Sequence, residues 1–254
     1  MINGIERRFE RIFETSGGMG LLLVSALRHT AFGRQDRRRL LQQMLVVGYQ
    51  TVPLALLIGA FVGMTLALNT GLALQTYGQT VLIAQVVALS LMREMGPVIT
   101  AVIITGRVGA AMTAELGTMA VNDEIDVLRV LGIRPERYLV MPRILAALLM
   151  TPILTIYSVI IGFVGGMIIA TNYFNVTSKI YWIKTFDALS LEEVYKGFFK
   201  SVVFGLTYAT VCCYMGVTTR GGAEGVGRAT TAAVVTSLSG VLVANFLLTR
   251  FLFG

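Results

Sequence analysis

Two oppositely charged residues, Arg93 and Glu94, stand side by side inside a long apolar stretch of the chain. A charged side chain at the centre of a membrane-spanning helix costs about 2.5 to 3.5 kcal/mol on insertion scales, so such residues usually face a protein interior or a watery cavity. Adjacent helical positions point about 100° apart, and the two side chains therefore cannot neutralise each other well along one helix face. We expect either a substrate-facing site or an internal ion-pair lock between helices.

The proline that follows this pair predicts a local distortion. Pro97 has no N–H, so the carbonyl of Arg93, four residues earlier, loses its helical hydrogen bond, and a kink is favoured there. The charged pair should therefore lie on a bent and incompletely hydrogen-bonded helix.

Composition places this pair in an integral membrane protein. Of the 254 residues, 55% are hydrophobic and 14% are charged, and no charged residue occurs between Arg39 and Arg93. Nucleic-acid binding is not indicated by the net charge of +7, because the basic residues flank apolar stretches. Five stretches can cross a hydrocarbon core about 30 Å thick. They are residues 46–74, 81–105, 144–170, 197–217 and 229–253.

The chain is expected to be all-α, with two parts. Residues 1–43 form an interfacial amphipathic helix and a basic collar, since Ile5, Phe9 and Phe13 share a helical face beside several arginines. Residues 44–254 form a five-span domain. Glycines spaced by four, Gly59 with Gly63 and Gly162 with Gly166, allow close helix packing.

A further amphipathic helix is predicted over residues 115–131, between the second and third spans. Its apolar residues Val121, Ile125 and Leu128 recur at helical spacing among charged ones. A helix of this kind at the mouth of a membrane protein suits docking to a soluble partner. By contrast, we interpret residues 172–193 as a loop, with Tyr181 and Trp182 at the interface, and residues 218–228 as a tight turn.

The distribution of basic residues orients the chain. Of the 21 Lys and Arg residues, 15 collect on the side of the N-terminus and 5 on the other side, with Arg93 between them. The excess predicts a cytoplasmic N-terminus and amphipathic helix, and a C-terminus outside. Because the number of spans is odd, a transport path between two copies is favoured over one between two halves of one chain.

Several classes of chemistry lack their usual residues. The sequence has no GxxxxGK[ST] phosphate loop, no HExxH and no Ser/His/Asp set in the spans, and His29 is its one histidine. Cys212 and Cys213 lie in an apolar span, so no metal site or disulfide framework is predicted. We expect no enzyme activity in this chain, and any nucleotide should bind a separate subunit.

Three stretches carry a family resemblance: VALSLMREMGPVITAVIITGRVGAAMTAELGTM, FKSVVFG and GVGRATTAAVV. With them the chain resembles the MlaE (YrbE) family of ABC-transporter permeases. The resemblance implies a homodimer in the bacterial inner membrane that moves glycerophospholipids between the inner and outer membranes. It also implies a cytoplasmic ABC ATPase that binds ATP and Mg, an MCE-domain protein on the periplasmic side, and in some complexes a STAS-domain protein.

The resemblance assigns roles to residues at matching positions. The lipid-binding set is Arg93, Glu94, Tyr77, Leu66 and Lys200. The ATPase-coupling set is Glu115, Asp123, Glu124, Asp126 and Arg129. From the residues alone, Lys200 could instead extend to the head groups, and only Arg93 and Glu94 stand out independently.

Two other functions remain open at this point. A gradient-driven secondary transporter could use Glu94 as a proton-carrying carboxylate, because burial favours the protonated form. A non-transporting membrane anchor could merely assemble the partner proteins. The first predicts transport without an ATPase, and the second predicts that replacing Glu94 with alanine leaves lipid movement intact.

Overall fold

The computed structural model describes residues 17–22 and 34–253, and this part of the chain contains helices and turns but no strand. Within the described residues, five helices are long and apolar enough to cross a membrane, as predicted. They are Arg37–Gln75, Thr80–Val121, Glu136–Phe174, Leu191–Val217 and Gly222–Phe253, called here the first to the fifth span. The predicted interfacial helix near the N-terminus lies mostly outside the described residues.

The spans are longer than their apolar windows because polar residues continue the same helices. The second span is 42 residues long, or roughly 63 Å at 1.5 Å per residue, and Arg93 lies about 20 Å from its start. Two shorter helices connect the spans: Glu124–Val130 and Ser178–Ala188. Five-residue π-helical segments interrupt the long helices. These are Leu45–Tyr49, Leu91–Met95, Thr105–Gly109 and Glu136–Val140.

The predicted amphipathic helix over residues 115–131 is wrong in its extent. Glu115 belongs to the second span, which ends at Val121, and a new helix begins at Glu124. The break lies at Asp123, whose φ of 58° is left-handed. Asn and Asp visit this conformation more readily than other side chains, so the Asn-Asp pair divides a stretch whose hydrophobic periodicity alone is continuous.

The predicted loop at residues 172–193 is also wrong in part, because it contains the helix Ser178–Ala188. Tyr181 is fully buried there rather than lying at an interface, and burial raises the pKa of its hydroxyl. The tight turn predicted after the fourth span is confirmed over a shorter stretch, since the fifth span already begins at Gly222.

Two compact units make up the chain, each built from parts of several spans. One contains residues 45–104, 148–205 and 239–254. Within it, small residues of the first span are buried at intervals of four, and a Cβ on Gly63 would overlap the backbone of Gly162. The predicted close packing of the glycine-spaced helices is therefore confirmed. Larger side chains, including Leu91, Phe163 and Tyr181, fill the adjoining core.

The other unit contains residues 105–147, 206–238 and the described residues up to Met44. Within it, the Thr113 hydroxyl donates to the carbonyls of Gly109, at 3.0 Å, and Cys212, at 3.1 Å. A Cβ on Gly216 would overlap Leu116, so the second and fourth spans pack closely here too. Arg143, only 8% exposed, pairs with Glu115 at 2.9 Å.

Candidate functional site

Arg93 forms a two-pronged ion pair with a residue of the fourth span. Its Nε donates to Glu193 Oε2 at 2.6 Å, and its Nη2 donates to Glu193 Oε1. Glu193 lies in the first turn of that span. Because a guanidinium matches a carboxylate in a plane, this contact fixes the direction of the arginine as well as balancing its charge. The Arg93 side chain is nevertheless 39% exposed.

Glu94 faces a different set of donors. Lys200 Nζ and Thr249 Oγ1 donate to its Oε1 at 2.7 and 2.8 Å, and Asn245 Nδ2 donates to its Oε2 at 2.9 Å. The prediction that neighbouring charges on one helix need separate partners is thus confirmed. The partners of Arg93 and Glu94 lie in the fourth and fifth spans, and the periodicity of the second span could not reveal them.

Lys200 differs from both sequence-based expectations. Its side chain is fully buried, so it does not extend to head groups, and its ammonium does not face lipid in this conformation. Besides Glu94 it donates to Thr249 Oγ1 at 2.7 Å and to the carbonyl of Arg93 at 3.0 Å. The physical reason is that a buried ammonium needs a counter-charge and acceptors, and the second and fifth spans supply them.

An aromatic ring completes the group. The Phe253 ring centroid lies 5.0 Å from Arg93 Cζ, 4.9 Å from Lys196 Nζ and 5.4 Å from Lys200 Nζ, within cation–π range. Lys196 in turn pairs with Glu192 at 2.7 Å. We call the whole group the ionic cluster. It consists of Arg93, Glu94, Glu192, Glu193, Lys196, Lys200, Asn245, Thr249 and Phe253.

Sequence reasoning missed several members of this cluster, although two signals were available. Asn245 and Thr249 are polar and four residues apart in an apolar span, so they share a helix face. Glu192, Lys196 and Lys200 have the same spacing at the start of the fourth span. Each pattern indicates a polar face, but neither says which span it meets.

An apolar groove lies in the same compact unit. It has a volume of about 340 Å³, within the range of roughly 300 to 1,000 Å³ typical of small-molecule sites. Of the residues assigned to lipid by resemblance, Leu66 lines it, whereas Tyr77 does not and is 78% exposed. The lining residues are Leu57, Ile58, Phe61, Val62, Thr65, Leu66, Asn69 and Met95. Met95 follows Glu94 directly in the chain, but neither Arg93 nor Glu94 lines the groove.

The second candidate region lies between the second and third spans, in the other compact unit. We call residues 122–133 the interspan segment. Ile125 is buried as predicted, but Val127, Val130 and Leu131 are 55%, 88% and 67% exposed. Asp123 and Glu124 are exposed as well. Large apolar side chains exposed among charges are typical of a surface that binds another protein.

The predicted coupling residues are only partly brought together. Asp126 accepts from Arg129 at 2.7 Å on the exposed face of the interspan segment, near Asp123 and Glu124 in the chain. Glu115, by contrast, belongs to the second span and forms an ion pair with Arg143 of the third span. A cavity of about 750 Å³ adjoins the segment, lined by Asp123, Asp126, Arg129 and residues 217–222.

These features agree with what comparison with known proteins finds. The family model described as "Permease MlaE" matches residues 40–251. The chain belongs to the MlaE permease family. The resemblance seen in the three sequence stretches is thereby confirmed.

Relatives with high identity span most of this permease. A "Probable ABC transporter permease protein" of Synechocystis sp. is 43% identical over 225 residues, covering 89% of this chain and 86% of its own. The "Intermembrane phospholipid transport system permease protein MlaE" of Haemophilus influenzae is 32% identical, covering 100% and 97%. The "Protein TRIGALACTOSYLDIACYLGLYCEROL 1, chloroplastic" of Arabidopsis thaliana is 38% identical, covering 87% and 63%.

Proposed function

We propose that this MlaE permease moves phospholipid as the membrane subunit of an ABC transporter in the bacterial inner membrane. The observation that carries the proposal is that one compact unit contains both a partly exposed Arg93 and an apolar groove lined by Leu66 and Met95. A phospholipid has an anionic phosphate and apolar chains, so it needs both kinds of surface. The phospholipid-transport name of the Haemophilus relative supports the same substrate class.

The interspan segment is the proposed docking surface for a cytoplasmic ATPase, which would bind ATP and Mg. Its exposed Val127, Val130 and Leu131 supply apolar contact area, and Asp123, Glu124, Asp126 and Arg129 supply charge. Energy from ATP has to enter through a separate chain, because this sequence contains no phosphate loop. The excess of basic residues near the N-terminus supports a cytoplasmic location for this segment and a periplasmic C-terminus.

The permease is proposed to act as two copies. Only 17% of the apolar window of the fifth span is buried, against 50 to 56% for the second, third and fourth spans. Thr231 and Thr236 are among its exposed positions, although the Thr231 hydroxyl already donates to the carbonyl of Gly227 in the same helix. A second copy packed on this face would cover them. An MCE-domain protein, and in some complexes a STAS-domain protein, are expected from the family resemblance alone.

The arrangement around Glu94 argues against the gradient-driven alternative. A proton carrier must gain and lose its proton during transport, whereas Glu94 accepts hydrogen bonds from a buried ammonium, an amide and a hydroxyl. Those donors stabilise the negative charge throughout. Transport by the permease without an ATPase would overturn this interpretation.

The proposal is tested by ATP-dependent transfer of fluorescent phospholipid between vesicles, with the permease reconstituted beside its ATPase. Arg93→Ala should slow transfer, while Arg250→Ala, an exposed arginine of the fifth span outside the ionic cluster, should not. Replacing Asp123, Glu124 and Arg129 by alanine should weaken ATPase association. Unchanged transfer in the first case, or unchanged association in the second, would contradict the corresponding assignment.

A further inference from the structure

The carbonyl oxygen of Arg93 has an unusual partner. Pro97, four residues later, has no N–H to donate to it. Instead Lys200 Nζ, on the fourth span, donates to this oxygen at 3.0 Å. The same ammonium donates to Glu94 Oε1 and Thr249 Oγ1, both at 2.7 Å. An ammonium has three N–H donors, so these three acceptors match its capacity, with the Lys200 side chain fully buried.

The helix is distorted at this point. Residues Leu91–Met95 form a π-helical segment, and the N–H of Gly96 donates to the carbonyl of Leu91, five residues back. Such bulges widen a helix and are frequent at functional sites. This one contains both members of the charged pair, and it sends Arg93 toward Glu193 and Glu94 toward Lys200. Lys200 therefore donates to a carbonyl within the bulge to which Pro97 cannot donate.

Arg93 and Lys200, the two cations at the π-helical bulge, differ in how exposed their side chains are. The Arg93 side chain is 39% exposed and that of Lys200 is fully buried. A guanidinium has five N–H donors, and Glu193 engages Nε and Nη2. Among the described residues, Nη1 has no hydrogen-bond acceptor, so its N–H groups are available to bind an anion. Lys200 has no comparable capacity, because its three donors are matched inside the protein.

We propose that Lys200 is a positioning residue: by binding the Arg93 carbonyl and the Glu94 carboxylate it holds the bulge, so that Arg93 alone presents its charge to the lipid phosphate. This inference rests on the proposed phospholipid transport and deepens it. Of the residues assigned to lipid by resemblance, Arg93 would contact the head group, and Glu94 and Lys200 would hold Arg93 in position.

The test is a double-substitution cycle in the reconstituted complex with its ATPase, using vesicles that contain phosphatidylglycerol. All variants carry Glu94→Gln, so that removing the ammonium does not strand a buried carboxylate. Lys200→Met should raise the phospholipid content needed for half-maximal transfer about tenfold, equivalent to roughly 1.4 kcal/mol, with the maximal rate little changed. Adding Pro97→Ala restores an N–H four residues after Arg93 and should recover most of that shift.

Two controls define the interpretation. Lys196→Met removes a cation near the same Phe253 ring but no bond to the Arg93 carbonyl, so Pro97→Ala should not rescue it. In an Arg93→Ala background, Lys200→Met should cause no further shift in half-maximal phospholipid. Additive effects of the Pro97 and Lys200 substitutions, or a Lys200 variant that lowers only thermal stability, would overturn the positioning role.

A second measurement separates this inference from the proposed function. Thermal unfolding of the same variants in detergent detects the contact between Lys200 and the Arg93 carbonyl without any lipid transfer. We expect Pro97→Ala to recover part of the stability that Lys200→Met removes. If the wild-type complex transfers no phospholipid, the proposed function and the lipid-facing role of Arg93 both fail. The absence of coupling in unfolding would instead overturn the carbonyl contact itself, whatever the complex transports.

Discussion

The ionic cluster and the interspan segment use similar residue types for opposite purposes. In the cluster, Arg93, Glu94 and Lys200 each meet an oppositely charged partner from another span. In the interspan segment, Asp126 forms an ion pair with Arg129 on the same short helix, and both side chains are more than half exposed. Apolar side chains such as Val130 are exposed beside it. The first region is organised within the chain, and the second is the surface on which we propose that a partner docks.

This difference predicts where a substitution costs folding stability and where it costs association. Removing one member of a buried ion pair leaves an uncompensated charge, whereas removing an exposed one leaves its partner in water. The following four predictions run from the largest expected effect to the smallest.

Lys200→Met should destabilise the permease most, by about 3 to 5 kcal/mol, because Glu94 and the Arg93 carbonyl both lose their buried donor. Thermal unfolding in detergent measures the loss. Lys184→Met is the matched control, since Lys184 is 40% exposed and its ion pair with Asp187 is long, at 3.9 Å. If the two variants unfold at the same temperature, the cluster does not stabilise the fold. Combining Lys200→Met with Glu94→Gln should recover part of the stability.

Val130→Asp should weaken ATPase binding roughly 10- to 100-fold, as expected for a central interface residue worth about 1.4 to 2.8 kcal/mol. Its unfolding temperature should not change, because the side chain is 88% exposed in the isolated chain. Pull-down of the ATPase at several concentrations measures the affinity. Ile183→Asp introduces the same charge at a half-exposed position of the helix Ser178–Ala188 and should leave binding intact. Equal binding by both variants would remove Val130 from the docking surface.

Glu193→Gln should have an intermediate effect. It replaces a charged acceptor of Arg93 with a neutral one, which should lower stability by about 1 kcal/mol, since a hydrogen bond to a charged group is worth roughly 1.5 to 3 kcal/mol and exposure reduces it. The freed guanidinium should bind phospholipid more tightly, so the phospholipid content needed for half-maximal transfer should fall. A rise in that content would show that Glu193 orients Arg93 rather than competing for it.

Asp126→Ala should change stability least, by about 0.2 to 1 kcal/mol, because its pair with Arg129 is exposed. Its effect on ATPase binding should exceed its effect on unfolding. Comparing both measurements with those for Glu136→Ala, an acidic residue beyond the interspan segment, separates a local charge effect from a general one. A large loss of stability would mean that this segment is held by the chain itself.

Much of the fold could be predicted because the bilayer restricts what an apolar chain can do. Backbone groups in hydrocarbon must bond within their own helix, so the five apolar stretches predicted five spans correctly. The glycine spacings likewise predicted close helix packing, and the structure shows it between the first and third spans. Helix ends were less accurate, since polar residues continue the spans and a single left-handed Asp123 divides the predicted coupling helix.

The candidate site was predictable in kind and not in detail. The intramembrane charges and Pro97 indicated a polar, distorted point in the second span, and this prediction is confirmed by the bulge and its partners. The pairing of Lys200 with Glu94 was not predicted, because one residue's position along a helix does not say which neighbouring helix it faces; its lipid contact stays a prediction. Tyr77, assigned to lipid by resemblance, lies outside the groove that Leu66 lines, and its lipid contact stays a prediction.

The sequence by itself determined that this is a five-span membrane protein of the MlaE type, because hydrophobic length, charge placement and local motifs are properties of consecutive residues. Only the tertiary structure decided that Glu193 binds Arg93, that Asn245 and Thr249 join Lys200 at Glu94, and that Val130 is exposed. The physical reason is that a buried charge requires a partner but does not specify which one. That choice is made when helices separated by more than a hundred residues pack together.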